Sequence, residues 1–146
     1  MEHEVETQWM GKMQFNALIN GHTVTMDAPV KSGGEDSAPI PKPFVLTALS
    51  GCTGMDVIAL LRKANKEMTS FDIKVTGELS KIAPIQYTSI HLVYYFKSFD
   101  DHAESALNAV TDSQEKYCGV SSMLKKIMPV TWEVIYNDQL IFTNKK

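Results

Sequence analysis

Phe44-Val45-Leu46-Thr47-Ala48-Leu49-Ser50-Gly51-Cys52-Thr53-Gly54-Met55-Asp56-Val57-Ile58-Ala59-Leu60-Leu61 carries one charge, Asp56, in 18 residues. The run predicts a long helix over Pro41 to Lys66. Pro41 or Pro43 fits a first turn, where the missing N–H breaks no bond. Arg62, Lys63 and Lys66 place cations at the negative end of the helix dipole. Apolar residues lie on nearly every face, and a helix apolar all round is expected to be buried all round. Thr47, Ser50, Gly51, Thr53, Gly54 and Asp56 interrupt the run, which favours a buried central helix over a membrane span.

Upstream, Lys12 to Ile19, Asn20-Gly21 and His22 to Asp27 predict a β-hairpin, because Asn-Gly accepts the two positive φ angles of a type I′ turn. Met13, Phe15 and Ala17 alternate with polar neighbours. Ala28 to Ile40, with Pro29, Gly33, Gly34 and Pro39, predicts a loop. Downstream, Phe71 to Leu79 and Tyr87 to Phe96 alternate as strands. Phe71, Ile73, Val75 and Leu79 share one face of the first strand, and Ile90, Leu92, Tyr94 and Phe96 share one face of the second. Asp101 to Tyr117 predicts an amphipathic helix with Ala103, Ala106, Leu107, Val110 and Tyr117 on its stripe and an Asp101/Glu104 capping box. Val120 to Ile127 predicts a short helix with Val120, Met123, Leu124 and Ile127 inward. Val130 to Phe142 reads as a strand or a hairpin.

Strands, long helix, strands, two helices and a final strand make an α+β domain over residues 1–146. One small sheet cannot cover a helix that is apolar on all sides. Either the sheet wraps it or a second subunit does, and a homodimer is favoured.

The chain has 146 residues, with 44% hydrophobic and 21% charged, a soluble globular composition. Fourteen Lys+Arg against 17 Asp+Glu give a net charge of −3, which argues against a nucleic-acid partner. Arg62 is the single arginine, so bidentate recognition of phosphate is nearly unavailable. Met1-Glu2-His3-Glu4-Val5-Glu6 has no signal-peptide pattern, and a cytoplasmic protein with no membrane partner is expected.

Two cysteines, Cys52 and Cys118, are too few for a secreted disulfide scaffold. They form no CxxC motif, and His3, His22, His91 and His102 show no metal-ligand spacing; no metal or cofactor is expected. Cys52 sits between Gly51 and Gly54, each costing about 1 kcal/mol in a helix relative to alanine. Two readings remain: small residues for close backbone packing around an inert cysteine, or a flat backbone that lets a substrate or thiol reach Cys52. Cys118 precedes Gly119 and is either a buried junction residue or the cap of the Val120 helix, where the dipole favours its thiolate. Asp56 follows Cys52 by one helical turn; a helix-packing hydrogen bond is the favoured reading for it.

At these residues the chain resembles a known family. Leu46-Thr47-Ala48-Leu49-Ser50-Gly51-Cys52-Thr53-Gly54-Met55-Asp56-Val57 resembles the first cysteine motif of the OsmC/Ohr family. Glu115-Lys116-Tyr117-Cys118-Gly119-Val120-Ser121-Ser122-Met123-Leu124 resembles the second, and Pro39-Ile40-Pro41 matches the proline-containing entry to its helix. The resemblance implies an OsmC-like intertwined α+β homodimer with long central helices wrapped by β-sheets. It also implies thiol-dependent reduction of organic, and by extension inorganic, hydroperoxides without a cofactor. Cys52 would match the peroxidatic cysteine, oxidised to a sulfenic acid. Cys118 would match the resolving cysteine, with a dithiol reductant restoring the pair. In the peroxidase branch an arginine and a glutamate hold the thiolate. Here no arginine precedes Arg62 and Pro43 stands at the apparent glutamate position, leaving Lys12, Lys31, Lys42, Glu35 and Asp36 as substitutes. The alternative is a non-catalytic binding or redox-sensing protein of the same fold, holding a small apolar ligand in a Met-rich pocket.

Overall fold

The computed structural model describes residues 1–146. The chain forms two compact units, Met1–Val45 and Leu46–Lys146.

The first unit is an antiparallel sheet of β1 (Val5–Gly11), β2 (Gln14–Ile19) and β3 (His22–Met26), in that order. The β2–β3 turn is the expected one, with Asn20 at φ 51° and Gly21 at φ 79°. The strand β1 is an addition to the sequence reading. Its residues are exposed up to Gly11, so it carries no buried alternation to read, and its pairing with β2 defines it. Gly11 and Lys12 have positive φ and form the β1–β2 turn, so the hairpin strand begins at Gln14. Of the three residues expected inward, Ala17 is buried while Met13 and Phe15 are exposed.

Asp27 organises the long loop. Its Oδ1 accepts from Ala28 N at 2.8 Å, and its Oδ2 accepts from Glu35 N, Ser37 N and Ser37 Oγ at 3.2, 3.1 and 2.6 Å. These bonds hold the Asp27 carboxyl down to about 2, with the Ser37 hydroxyl the main cause. A Cβ on Gly34 would lie 2.0 Å from the Ala28 carbonyl oxygen, so only glycine allows the loop to fold back there.

The long helix α1 spans Phe44–Lys63, three residues shorter at each end than expected. Pro41 and Lys42 carbonyls accept from Phe44 and Val45 N–H, a tight turn that leads into the helix. At the far end Asn65 adopts φ 54°, Lys66 N donates to Leu61 O and Asn65 N to Arg62 O. That is a Schellman arrangement, which stops the helix before the cations run out.

The second unit is built on a four-stranded sheet of β4 (Ser70–Leu79), β5 (Tyr87–Lys97), β6 (Val130–Tyr136) and β7 (Gln139–Thr143), in that spatial order. The pair β5–β6 is parallel and the others are antiparallel. A parallel pair needs a crossover. It is supplied by α2 (Ala103–Asp112), a π-helical turn at Ser113–Tyr117 and α3 (Gly119–Lys125). The last segment is a hairpin whose Asn137 and Asp138 both have positive φ.

Ile90, Leu92, Tyr94 and Phe96 are all buried, as their alternation required, and join Val130, Trp132, Val134 and Tyr136 of β6, Leu49, Val57 and Leu61 of α1, and Val110 of α2 in one core. Four expectations fail for identifiable reasons. A register shift at Glu78/Leu79 turns Leu79 outward. The π-helical turn rotates Tyr117 off the stripe, leaving it 58% exposed. Met123 and Ile127 are exposed, and α3 ends before Ile127. The Asp101/Glu104 box does not form, because His102 is the cap residue and its N–H donates to Tyr136 Oη at 2.9 Å.

One chain covers only part of the helix α1. Within one chain it buries only Leu49, Thr53, Val57 and Leu61, a single stripe at spacing four, while Val45 and Met55 are 39% and 77% exposed. By length and composition it is apolar enough to cross a membrane; one stripe of it is built into the protein core.

Candidate active site at the two cysteines

The fold brings Cys52 and Cys118 together. Cys52 lies mid-way along α1 and is half-buried; Cys118 caps α3 and is buried. The two sulfurs and a carboxylate oxygen of Asp56 all lie within 4.8 Å of one another. Asp56 reaches the pair because residues four apart share a helix face.

Cys118 is the N-cap foreseen as one reading: its Sγ accepts from Ser121 N at 3.3 Å. Capping does not decide its acidity. Burial pushes the Cys118 thiol up to about 11, against the opposing pull of the Ser121 N–H, and the neighbouring Cys52 and Asp56 add to the rise. The thiol of Cys118 is therefore held protonated at neutral pH.

A chain of buried polar side chains runs beside the sulfurs. Ser113 Oγ donates to Asp56 Oδ2 at 3.0 Å. Thr53 Oγ1 lies 2.7 Å from Ser113 Oγ and 2.8 Å from Tyr94 Oη. Gln114 Nε2 donates to Tyr94 Oη at 2.6 Å, and Ser121 Oγ donates to Gln114 Oε1 at 2.6 Å. A carboxylate only accepts, so Asp56 sets the direction of every hydroxyl. Ser113 gives its proton to Asp56, Thr53 gives to Ser113, and Tyr94 gives to Thr53, which leaves Tyr94 Oη to accept from Gln114. Each group is satisfied in this one arrangement. Burial raises the Tyr94 hydroxyl to about 12, in spite of its bonds to Thr53 and Gln114, so it serves as a neutral link.

The local fold explains how two adjacent residues both reach the core. In a regular helix Ser113 and Gln114 would diverge by about 100°. The π-helical turn beginning at Ser113 widens the backbone, and both side chains are buried. Lys125 Nζ donates to the Gln114 carbonyl at 2.6 Å and lies 4.7 Å from the Trp132 ring, securing the turn from outside.

The two glycines of α1 have different surroundings. A Cβ on Gly54 would lie 3.1 Å from Ile73 Cδ1, so Gly54 serves close packing against β4. A Cβ on Gly51 would meet nothing within 4 Å, so Gly51 leaves the helix surface open beside Cys52. Of the two readings of the Gly-rich segment, close packing holds at Gly54, while Gly51 has open space above it. Asp56 makes the packing bond that was favoured for it.

A cavity of about 620 Å³ lies between α1 and β4, with Gly51, Met55, Ile58, Arg62, Phe71 and Ile73 in its wall. Neither cysteine lines it. A second, of about 640 Å³, includes Met68, so the methionines do not gather in one pocket. Lys12 and Glu35, named as substitute charges, form an exposed ion pair with each other in the first unit.

The sequence reading missed Thr53, Tyr94, Ser113, Gln114 and Ser121 as parts of this site. The signal was present in two places. Tyr94 lies on the inward face of β5, where its hydroxyl must find a partner. Ser113 and Gln114 stand on the inner stripe three and four residues after Val110, where apolar residues are expected.

Residues 34–133 match the family model described as OsmC-like protein. The chain is 33% identical over 135 residues to Protein YhfA of Escherichia coli K12, covering 90% of this chain and 98% of that protein. A hypothetical protein from Aquifex aeolicus superposes with a TM-score of 0.78 at 25% identity, covering 94% of this chain and 98% of the other. An organic hydroperoxide resistance protein OsmC from Legionella pneumophila superposes with a TM-score of 0.67 at 12% identity, over 92% and 96% of the two chains; that likeness is one of fold.

Proposed function

The chain belongs to the OsmC-like protein family, and from that premise we propose that it is a thiol-dependent peroxidase that reduces hydroperoxides through Cys52 and Cys118. The observation that carries the reading is the asymmetry of the pair. The sulfurs are within 4.8 Å, yet Cys52 is half-buried beside the bare Gly51 while Cys118 is buried with its thiol pushed up to about 11. The accessible sulfur suits attack on a substrate, and the sheltered one suits resolution. The hydroperoxide class is drawn from the family and from the name of the Legionella protein.

In the first step the Cys52 thiolate attacks one peroxide oxygen. The S–O bond forms, the O–O bond breaks, and the leaving alkoxide takes a proton and departs as the alcohol. The sulfur loses two electrons and becomes a sulfenic acid. In the second step the Cys118 sulfur attacks the Cys52 sulfur; the S–S bond forms and hydroxide leaves with the thiol proton as water. The sulfurs, already within 4.8 Å of each other, must close to the ~2.05 Å of a disulfide by rotation of the side chains. A dithiol donor then restores both thiols by exchange and is itself oxidised to a disulfide.

The reading includes a cytoplasmic homodimer in which a second copy covers the open face of α1. Supporting this is the exposure of the apolar side chains of Val45 and Met55.

The test is rapid quenching of the reduced protein with one equivalent of cumene hydroperoxide. Fast loss of both thiols and a mass two hydrogens lighter is expected, with peroxide consumption falling to background in Cys52→Ser. Unchanged consumption in that variant would end the reading.

A further inference from the structure

We propose that Cys52, Asp56 and Cys118 of the reduced protein form a binding site for a zinc-type divalent cation, which displaces the thiol protons as it binds. The site stands or falls independently of peroxide turnover. No sequence spacing announces it, because a one-turn pair on α1 meets the cap of α3 only in the fold. Three ligand atoms lie within 4.8 Å of one another. In a tetrahedral zinc site, with Zn–S about 2.3 Å and Zn–O about 2.0–2.2 Å, ligand atoms stand roughly 3.5–3.8 Å apart. The required contraction is within the reach of side-chain rotation.

The donor set selects the metal. Two soft sulfurs with one carboxylate oxygen favour zinc and its neighbours over magnesium or calcium, which take oxygen ligands. Two ligands are already oriented from behind, as ligands in metal sites are. Ser113 Oγ donates to Asp56 Oδ2 at 3.0 Å and Ser121 N donates to Cys118 Sγ at 3.3 Å. Cys52 is half-buried and its neighbour Gly51 carries no Cβ, so a cation can enter and a water can complete the fourth position. A disulfide between the cysteines would remove both soft ligands at once, so occupancy would report the reduced state and hold both sulfurs away from peroxide.

The experiment uses the full-length, reduced, chelator-treated protein titrated with Co²⁺ and then with Zn²⁺ against a chromophoric chelator. One equivalent of Co²⁺ per chain is expected to give a thiolate-to-cobalt charge-transfer band and tetrahedral visible bands, and Zn²⁺ is expected to displace it. Cys52→Ser should remove at least half of the charge-transfer intensity. Asp56→Asn should weaken binding at least tenfold, and Ser113→Ala should weaken it roughly ten- to a hundredfold through loss of the supporting bond. Helical circular dichroism of each variant checks the fold, and the half-buried Cys52 and Asp56 keep the test open where Cys118 variants do not fold. Absence of the charge-transfer band in the parent protein, or affinity unchanged in folded Asp56→Asn, would overturn the site.

Discussion

Ser113 Oγ donates to Asp56 Oδ2 across 3.0 Å, joining the π-helical turn to the middle of α1. Because Ser113 is fully buried, neither it nor Thr53 can turn to water if the bond is lost. Ser113→Ala leaves Asp56 without this donor and Thr53 without an acceptor side chain. A buried polar group left unsatisfied costs about 1–3 kcal/mol, so urea unfolding of Ser113→Ala should show a loss of that order. A change below ~0.5 kcal/mol would mean that Asp56 and Thr53 find other partners when the Ser113 hydroxyl is removed.

Tyr94→Phe tests the same chain from the sheet side. It removes the acceptor for Gln114 and the donor for Thr53 while keeping the ring that stacks 6.3 Å from Phe71. The same loss of about 1–3 kcal/mol is expected. The double variant Ser113→Ala/Tyr94→Phe should lose less than the sum, because both single changes strand Thr53. Strict additivity in the double-mutant cycle would separate the two ends of the chain.

The two thiols should react very differently with iodoacetamide. Cys52 is half-buried, whereas Cys118 is 2% exposed and its thiol is pushed up by burial to about 11. At neutral pH peptide mass mapping should find Cys52 labelled, with Cys118 labelled only as fast as the protein opens. Equal rates at the two cysteines would refute the division into an accessible and a sheltered sulfur.

The elements were legible where burial forces a period on the sequence. The strand β5 alternates Ile90, Leu92, Tyr94 and Phe96 because its inner face is sealed. The strand β1 was not legible, because backbone pairing alone defines it. The pair Cys52 and Cys118 was visible as two glycine-flanked cysteines, but their approach depends on a crossover that returns α3 to α1, and no local pattern encodes that. Ser113 and Gln114 were hidden by the assumption of a regular helix. The extent of apolar surface on α1 was legible, but an apolar face says that cover is needed and not what supplies it.

Met55 tests the cover proposed for α1. It is 77% exposed within one chain and lies one turn beyond Gly51 on the open face. In a dimer packed on that face, Met55→Glu would bury an unpaired carboxylate, which is strongly unfavourable. Sedimentation is expected to show monomers for the variant at concentrations where the parent protein is dimeric, with helical content retained. A dimer of unchanged strength would locate the interface elsewhere.

Asp27 gives the loop a pH dependence whose sign follows from its bonds. Folding lowers its carboxyl from 3.8 to about 2, with the Ser37 hydroxyl as the main cause, then the Ser37 and Ala28 N–H groups. A group with a lowered folded value stabilises the fold fully above its unfolded value, and that contribution is lost as pH falls through the folded one. The window therefore runs from about pH 4 to pH 2. Hydrogen-exchange protection factors at Glu35 and Ser37 should be flat above pH 4 and fall across that window. In Asp27→Asn at most one side-chain oxygen remains as acceptor, so protection at these amides should be low already at neutral pH and insensitive to acid. Gly34→Ala should lower protection at neutral pH by a different route, since its Cβ meets the Ala28 carbonyl at 2.0 Å, and should retain the acid transition in whatever loop structure survives. Protection in the parent protein that is unchanged from pH 4 to pH 2 would show that the Asp27 bonds are not what holds the loop.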